Sequence, residues 1–181
     1  MPQLRRNVGF TIVELLSSLA ILSLLLMFAV PSMARMLAEA DLRARSSALS
    51  VALASARLRA VETGRTVSVC AREATGACRP SADWSRGWLV FDNPRRRGQP
   101  ETPTAVRTSE PIDAPHLVVS STGGRRILAF RPDGTSSGSN VTLTLCDRRH
   151  PQMGRQIVVN NVGRVRSGPL PVGWSCASPA T

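Results

Sequence analysis

Arg164 and Arg166 flank Val165 directly after Gly163, and the two-residue repeat of an extended chain puts both guanidinium groups on one side. Each guanidinium is a planar fork whose N–H donors match two phosphate oxygens, while the glycine permits a turn or a close backbone approach. Such a pair holds a polyanion; it does not make or break bonds. Arg148, Arg149 and Arg155 fall at an expected turn between the last two long strands and are candidates to extend the patch. From residue 123 onward eight arginines stand against Asp133 and Asp147, a net charge of +6. The chain has no tyrosine and few other aromatics, so base stacking is poorly supported. Recognition by this patch would be of phosphate, independent of sequence and steeply salt-dependent. A merely solvated basic surface is the alternative that composition leaves open.

Other chemistry finds less support. Gly134-Thr-Ser136-Ser-Gly138 has the spacing of a nucleophile elbow, but that device needs a strand before it and a helix after it, and no helix is expected here. His116 and His150 lack an acid–base constellation, and no phosphate-cradling Gly-Lys-Ser/Thr loop occurs. Asn140-Val-Thr142 has the pattern of a glycosylation acceptor and nothing else to support that modification. Four cysteines, Cys70, Cys78, Cys146 and Cys176, lie beyond the apolar N-terminal region and suit an oxidising compartment. They allow three pairings. Cys70–Cys78 and Cys146–Cys176 are favoured, because the first closes a short loop and the second ties down the tail. Zinc is the competing use of cysteines, but no C-x-x-C spacing is present, so neither metal nor cofactor is expected.

The elements that must position these residues hang from the N-terminal region. From Phe10 to Ala34 the only charge is Glu14, a run long enough at about 1.5 Å per residue to cross a bilayer. Arg5 and Arg6 ahead of it favour leaving the N-terminus in the cytoplasm. The run is too long for an ordinary secretory signal and lacks a convincing small-residue cleavage site behind it. An ionisable group inside such a segment is costly, which marks Glu14 as functional, with snorkelling to the interface beside the arginine pair as the alternative. From 35 to 63 the helix is expected to continue as an amphipathic segment, with Leu42, Leu49, Leu53, Ala56 and Ala60 forming one apolar stripe and Gly64 stopping it. Pro31 is expected to kink it.

Beyond Gly64 the period changes to two. Strands are expected at 65–71, 87–91, 105–109, 117–121, 125–130, 141–146 and 156–160, separated by loops rich in Pro, Gly and Ser. Gly168, Pro169, Pro171 and Gly173 predict an irregular tail after Arg166. One long helix followed by many short strands is an α+β pattern, the helix packed on one face of an antiparallel sheet. All 23 basic residues are arginine and the formal net charge is +11, a balance suited to a polyanionic partner. The choice of arginine over lysine is by itself weak evidence of function.

The junction Arg5-Arg6-Asn-Val-Gly9-Phe10-Thr-Ile-Val-Glu14-Leu resembles the class III signal of type IV pilins and pseudopilins. That resemblance implies cleavage after Gly9 by a prepilin peptidase, N-methylation of Phe10, and pairing of Glu14 with the N-terminal amine of a neighbouring pilin subunit. It also implies a single-pass inner-membrane protein with a periplasmic head and a kinking proline such as Pro31. The expected divisions are 1–9 leader, 10–34 transmembrane and assembly helix, 35–63 amphipathic helix, 64–166 β-rich head and 167–181 tail. The order of elements, the Trp84…Gly87-Trp88…Phe91 segment and Phe130-Arg-Pro-Asp-Gly134 resemble the GspH/FimT minor pseudopilins. Gly163-Arg164-Val165-Arg166 resembles the Gly-Arg-x-Arg motif by which FimT-like proteins contribute to DNA binding during natural transformation. The resemblance therefore implies a DNA-binding minor pilin. Its alternative is a structural or priming subunit of a type IV pilus or type II secretion pseudopilus without a DNA role.

Overall fold

A computed structural model describes residues 11–136, 138, 140–174 and 176. Gly9 and Phe10, the expected cleavage and N-methylation positions, lie outside the described residues. Two compact units divide the chain, Met1–Glu39 and Ala40–Thr181. A single helix, α1 (Ile12–Thr63), contributes to both.

In the first unit, Thr11 caps the helix: its hydroxyl accepts the N–H of Glu14 at 3.2 Å. Thr11-Ile-Val-Glu14 has the spacing of a capping box, with the acid in the first turn where the helix dipole favours it. The hydroxyls of Ser17, Ser18 and Ser23 donate to carbonyls three residues back, so these polar groups are satisfied within the helix. Leu19, Ile21, Leu22 and Leu25 are exposed. The helix is long and apolar enough to cross a membrane by length and composition, and it continues through Pro31.

In the second unit, Leu42, Leu49, Leu53, Ala56 and Ala60 are all buried, and Gly64 ends the helix at φ 63°. The stripe contributes to one core together with two antiparallel four-stranded sheets. The first sheet runs β3 (Val106–Pro111), β2 (Gly87–Asp92), β1 (Val67–Ala71), β5 (Ile127–Phe130). The second runs β4 (Leu117–Ser121), β6 (Val141–Asp147), β7 (Gly154–Val159), β8 (Val165–Pro169). Val69, Trp88, Val90 and Phe130 of the first sheet and Leu143, Leu145, Ile157 and Val159 of the second meet in that core. Two disulfides, Cys70–Cys78 and Cys146–Cys176, staple the unit.

One expectation needs correcting, and two features go beyond what local pattern carries. The antiparallel strands divide into two sheets, and pairing between distant segments leaves no trace in local periodicity. β1 is buried on both faces: Cys70, Cys78, Leu89 and Phe91 form a second small cluster on the far side of its sheet, so its alternation does not mark one wet face. The chain after Arg166 is regular as far as Pro169, since β8 continues to that residue and pairs with β7. Among the described residues no strand pairs with the other side of β8, and an edge strand tolerates the glycine and the missing N–H of proline.

Candidate functional site

β7 and β8 are joined by Asn161-Val162-Gly163. The amide of Gly163 donates to the carbonyl of Asn160 at 2.8 Å and the amide of Arg164 to the Asn160 side-chain oxygen at 2.8 Å. Gly163 itself has φ 77°, so the connection is a three-residue hairpin loop closed by a left-handed glycine. The loop is pinned from outside. Arg57 on the helix donates through Nε to the carbonyl of Gly134 at 2.8 Å and through a terminal nitrogen to the carbonyl of Val162 at 3.3 Å. Ser136 donates its amide to Asn161 and its hydroxyl to the carbonyl of Asn160, each at 3.0 Å. The hydroxyl that the elbow-like spacing singles out is thus a tether for this hairpin.

Past the loop, Val165 pairs with Val159 and packs on the core. Alternation then turns Arg164 and Arg166 outward, and both are exposed. Among the described residues neither guanidinium has an ion-pair or hydrogen-bond partner. The two forks stand together, with their charge unspent.

The other three candidate arginines are not brought to this place. Arg148 and Arg149 lie past the Cys146–Gly154 end of the β6–β7 ladder, the end opposite the Val141–Val159 pair beside Arg164. Six residues of strand separate those ends, roughly 20 Å at the rise of a β-strand. Arg148 is exposed at that far end. Arg149 is committed to Asp147: its Nε and a terminal nitrogen reach the two carboxylate oxygens at 3.1 and 2.7 Å. Asp147 is buried, and the hydrogen bond from Arg149 holds its carboxyl below the usual carboxylate range. Arg155 shares the face of Ile157 and Val159, opposite to Arg166, and its Nε is buried without a hydrogen-bond partner among the described residues. Chain proximity therefore groups five arginines of which the fold presents two as a pair.

The remaining clusters do structural work. Asp92 accepts both forks of Arg59 from the helix at 2.7 and 3.0 Å and is also paired with Arg107 of β3. Those hydrogen bonds, Arg59's first, lower its pKa to about 2. In the loop after β2, buried Asn93 binds the amide and carbonyl of Arg97, while Arg95 and Arg97 pair with Glu101. No group of three metal-ligating side chains occurs among the described residues.

A family model described as type II transport protein GspH matches residues 46–163, covering most of the second unit and ending at Gly163. No curated protein matches the chain. Among solved structures, the type IV minor pilin FimU of Pseudomonas aeruginosa in one crystal form has a TM-score of 0.58 at 20% identity, over 75% of this chain and 95% of FimU. A second crystal form gives 0.50 at 21%, over 75% and 99%. The minor pseudopilin EpsH of the type 2 secretion system of Vibrio cholerae gives 0.49 at 11%, over 71% and 96%. The likeness to FimU is one of fold: a long N-terminal helix packed against antiparallel sheet. That family and fold are those of structural pilins rather than enzymes, and with the apolar first unit they fit a membrane-anchored component that assembles with other pilins. The chain belongs to the GspH family and is a minor pilin or pseudopilin of the GspH/FimT type.

Proposed function

We propose that the protein is a minor pilin that captures DNA, without regard to sequence, for uptake across the cell envelope. Residues 10–34 anchor it in the inner membrane with the head in the periplasm, after a prepilin peptidase removes residues 1–9 and Phe10 is N-methylated. Glu14 serves assembly by pairing with a neighbouring subunit's N-terminal amine. The observation that carries the DNA reading is the outward pair Arg164 and Arg166, free of carboxylate partners among the described residues and held on a pinned hairpin. Two exposed forks on a strand edge suit phosphates, and a chain of net charge +11 draws a polyanion toward them. The test is binding of a short DNA duplex by the full chain in detergent across a salt series, beside Arg164→Ala/Arg166→Ala. The expected result is weak binding that collapses with salt, with the double variant showing a salt slope smaller by about two. Equal binding by both proteins would assign the effect to bulk charge and remove the pair from the site.

A second reading is a structural or priming subunit of a secretion pseudopilus. It is favoured by the family model, which spans the head and stops before Arg164. Absence of DNA binding at low salt would select it.

A further inference from the structure

We propose that the phosphate-binding surface does not end at Arg164 and Arg166 but continues across the outer face of the second sheet, where Thr142, Thr144, Gln156 and Ser120 serve as uncharged contacts to the backbone of double-stranded DNA. The proposal rests on the DNA reading and extends it to a defined surface.

The register lays the face out. Arg166 stands beside Val158 and then Thr142; in the next row Gly168 stands beside Gln156, Thr144 and Ser120. Their neighbours Leu143, Leu145 and Ile157 point into the core and are fully buried, so this second set faces outward. At about 4.8 Å per strand the rows carry donors roughly 14 Å from β8 to β4, beginning at the arginine pair.

Three properties separate this face from an ordinary solvated one. First, no acid points outward from its four strands, and Asp83, which bridges Ser120 at the β4 edge, is paired with Arg79 at 2.7 Å. The outward positions are Val118 and Ser120 on β4, Thr142, Thr144 and Cys146 on β6, Gly154, Gln156 and Val158 on β7, and Arg166 and Gly168 on β8. The one acidic residue within these strands, Asp147, is turned inward and paired with Arg149. Asp133, on the turn that packs against Gly163, binds Thr135 instead. Second, its donors are unspent: no side-chain hydrogen bond joins Thr142, Thr144, Gln156 or Ser120 to another described residue. Third, Gly168 is not required by the fold. A Cβ there would meet no atom within 4 Å and its φ is not left-handed, so the missing side chain simply opens the face beside Arg166.

Hydroxyl and amide donors are common phosphate partners that position a duplex without reading its sequence. None of the outward positions on these four strands carries an aromatic ring on which unpaired bases could stack. A duplex backbone therefore fits it better than a single strand.

The test uses the full chain in detergent with fluorescent duplex and single-stranded DNA of the same sequence. Thr144→Glu and Gly168→Glu place a carboxylate on the face, Thr104→Glu makes the same charge change on an exposed loop of the first sheet, and Thr144→Arg adds a cation. The expected outcome is about tenfold weaker duplex binding for each face glutamate, on the repulsion of unit charges a few ångströms apart. Thr104→Glu should change little, and Thr144→Arg should bind tighter with a salt slope steeper by about one. If the wild type binds and Arg164→Ala/Arg166→Ala weakens it, yet the face variants match Thr104→Glu, the extended surface is wrong and the arginine pair stands alone. If the wild type binds no DNA, both readings fall together. Tighter binding of the single strand would overturn the choice of duplex.

Discussion

A Cβ built on Gly163 would lie 2.0 Å from the carbonyl oxygen of Gly134, which also accepts a hydrogen bond from Arg57. The glycine that precedes the two arginines is therefore where the β7–β8 hairpin seats against the turn after β5. Its left-handed backbone and the close approach both exclude a side chain. Gly163→Ala should lower stability by about 2–4 kcal/mol, combining backbone strain with a backbone clash that neither partner can relieve by a rotamer change. It should also weaken DNA binding while leaving both arginines in place. Chemical denaturation and duplex titration on the same protein check the pair of effects. A variant of unchanged stability would contradict the seating.

Arg57 tests the same seat from the helix side. Its two hydrogen bonds go to carbonyls of Gly134 and Val162, so Arg57→Leu keeps much of the stem and removes the bonds. The expected cost is about 1.5–3 kcal/mol. Faster amide exchange at Gly163 and Arg164 should accompany it, because those amides close the hairpin that Arg57 restrains.

Acid should loosen the helix from β2 through Asp92. Its folded pKa of about 2 lies below the ordinary 3.8, so it contributes stability above pH 3.8 that is lost as pH falls through about 2. Asp92→Asn removes the carboxylate charge that draws Arg59 and Arg107 together. Denaturation midpoints measured across that window should fall more steeply for the wild type than for the variant. Parallel curves would mean that other carboxylates, such as Asp147, dominate the acid response.

Much of this architecture is legible in the chain, and the failures have physical causes. The stripe Leu42–Ala60 repeats with the helical period, and all five residues named for it are buried. β6 alternates without a break between buried and half-buried positions, which a local pattern can carry. β8 is hidden because Gly168 and Pro169 read as breakers, and they are tolerable on a strand that no other described strand borders on its outer side. In the site, the outward pairing of Arg164 with Arg166 follows from alternation. The same rule puts Arg155 with Ile157 and Val159 on the opposite face, a signal that grouping residues by nearness in sequence overrides. The commitment of Arg149 to Asp147 has its signal two residues upstream, but burial of that aspartate depends on the folded sheet.

The two disulfides should differ in weight. Cys146–Cys176 closes a loop with a sequence separation of 30 and Cys70–Cys78 one of 8. On loop entropy these correspond to about 3.5 and about 2.5 kcal/mol. Cys146→Ser/Cys176→Ser should therefore lower the denaturation midpoint more than Cys70→Ser/Cys78→Ser. The reverse order would show that the small cluster of Cys70, Leu89 and Phe91 depends on its disulfide for more than loop closure.

Glu14 and Thr11 stand in one helix turn, yet they predict different losses. Thr11 accepts the Glu14 amide through its hydroxyl, so Thr11→Ala removes a cap and should cost about 1 kcal/mol of local helix stability. That cost concerns the backbone amide of residue 14, not its carboxylate. Glu14→Gln keeps the amide, the size and the cap, and removes only the charge proposed to meet a neighbouring subunit's amine. If the charge serves assembly, Glu14→Gln should be present in the membrane at the wild-type level but be lost from sheared filaments, while Thr11→Ala is incorporated. Immunoblots of the membrane and sheared fractions separate the outcomes. Incorporation of Glu14→Gln at the wild-type level would reduce Glu14 to the helix-start residue that the capping spacing already explains.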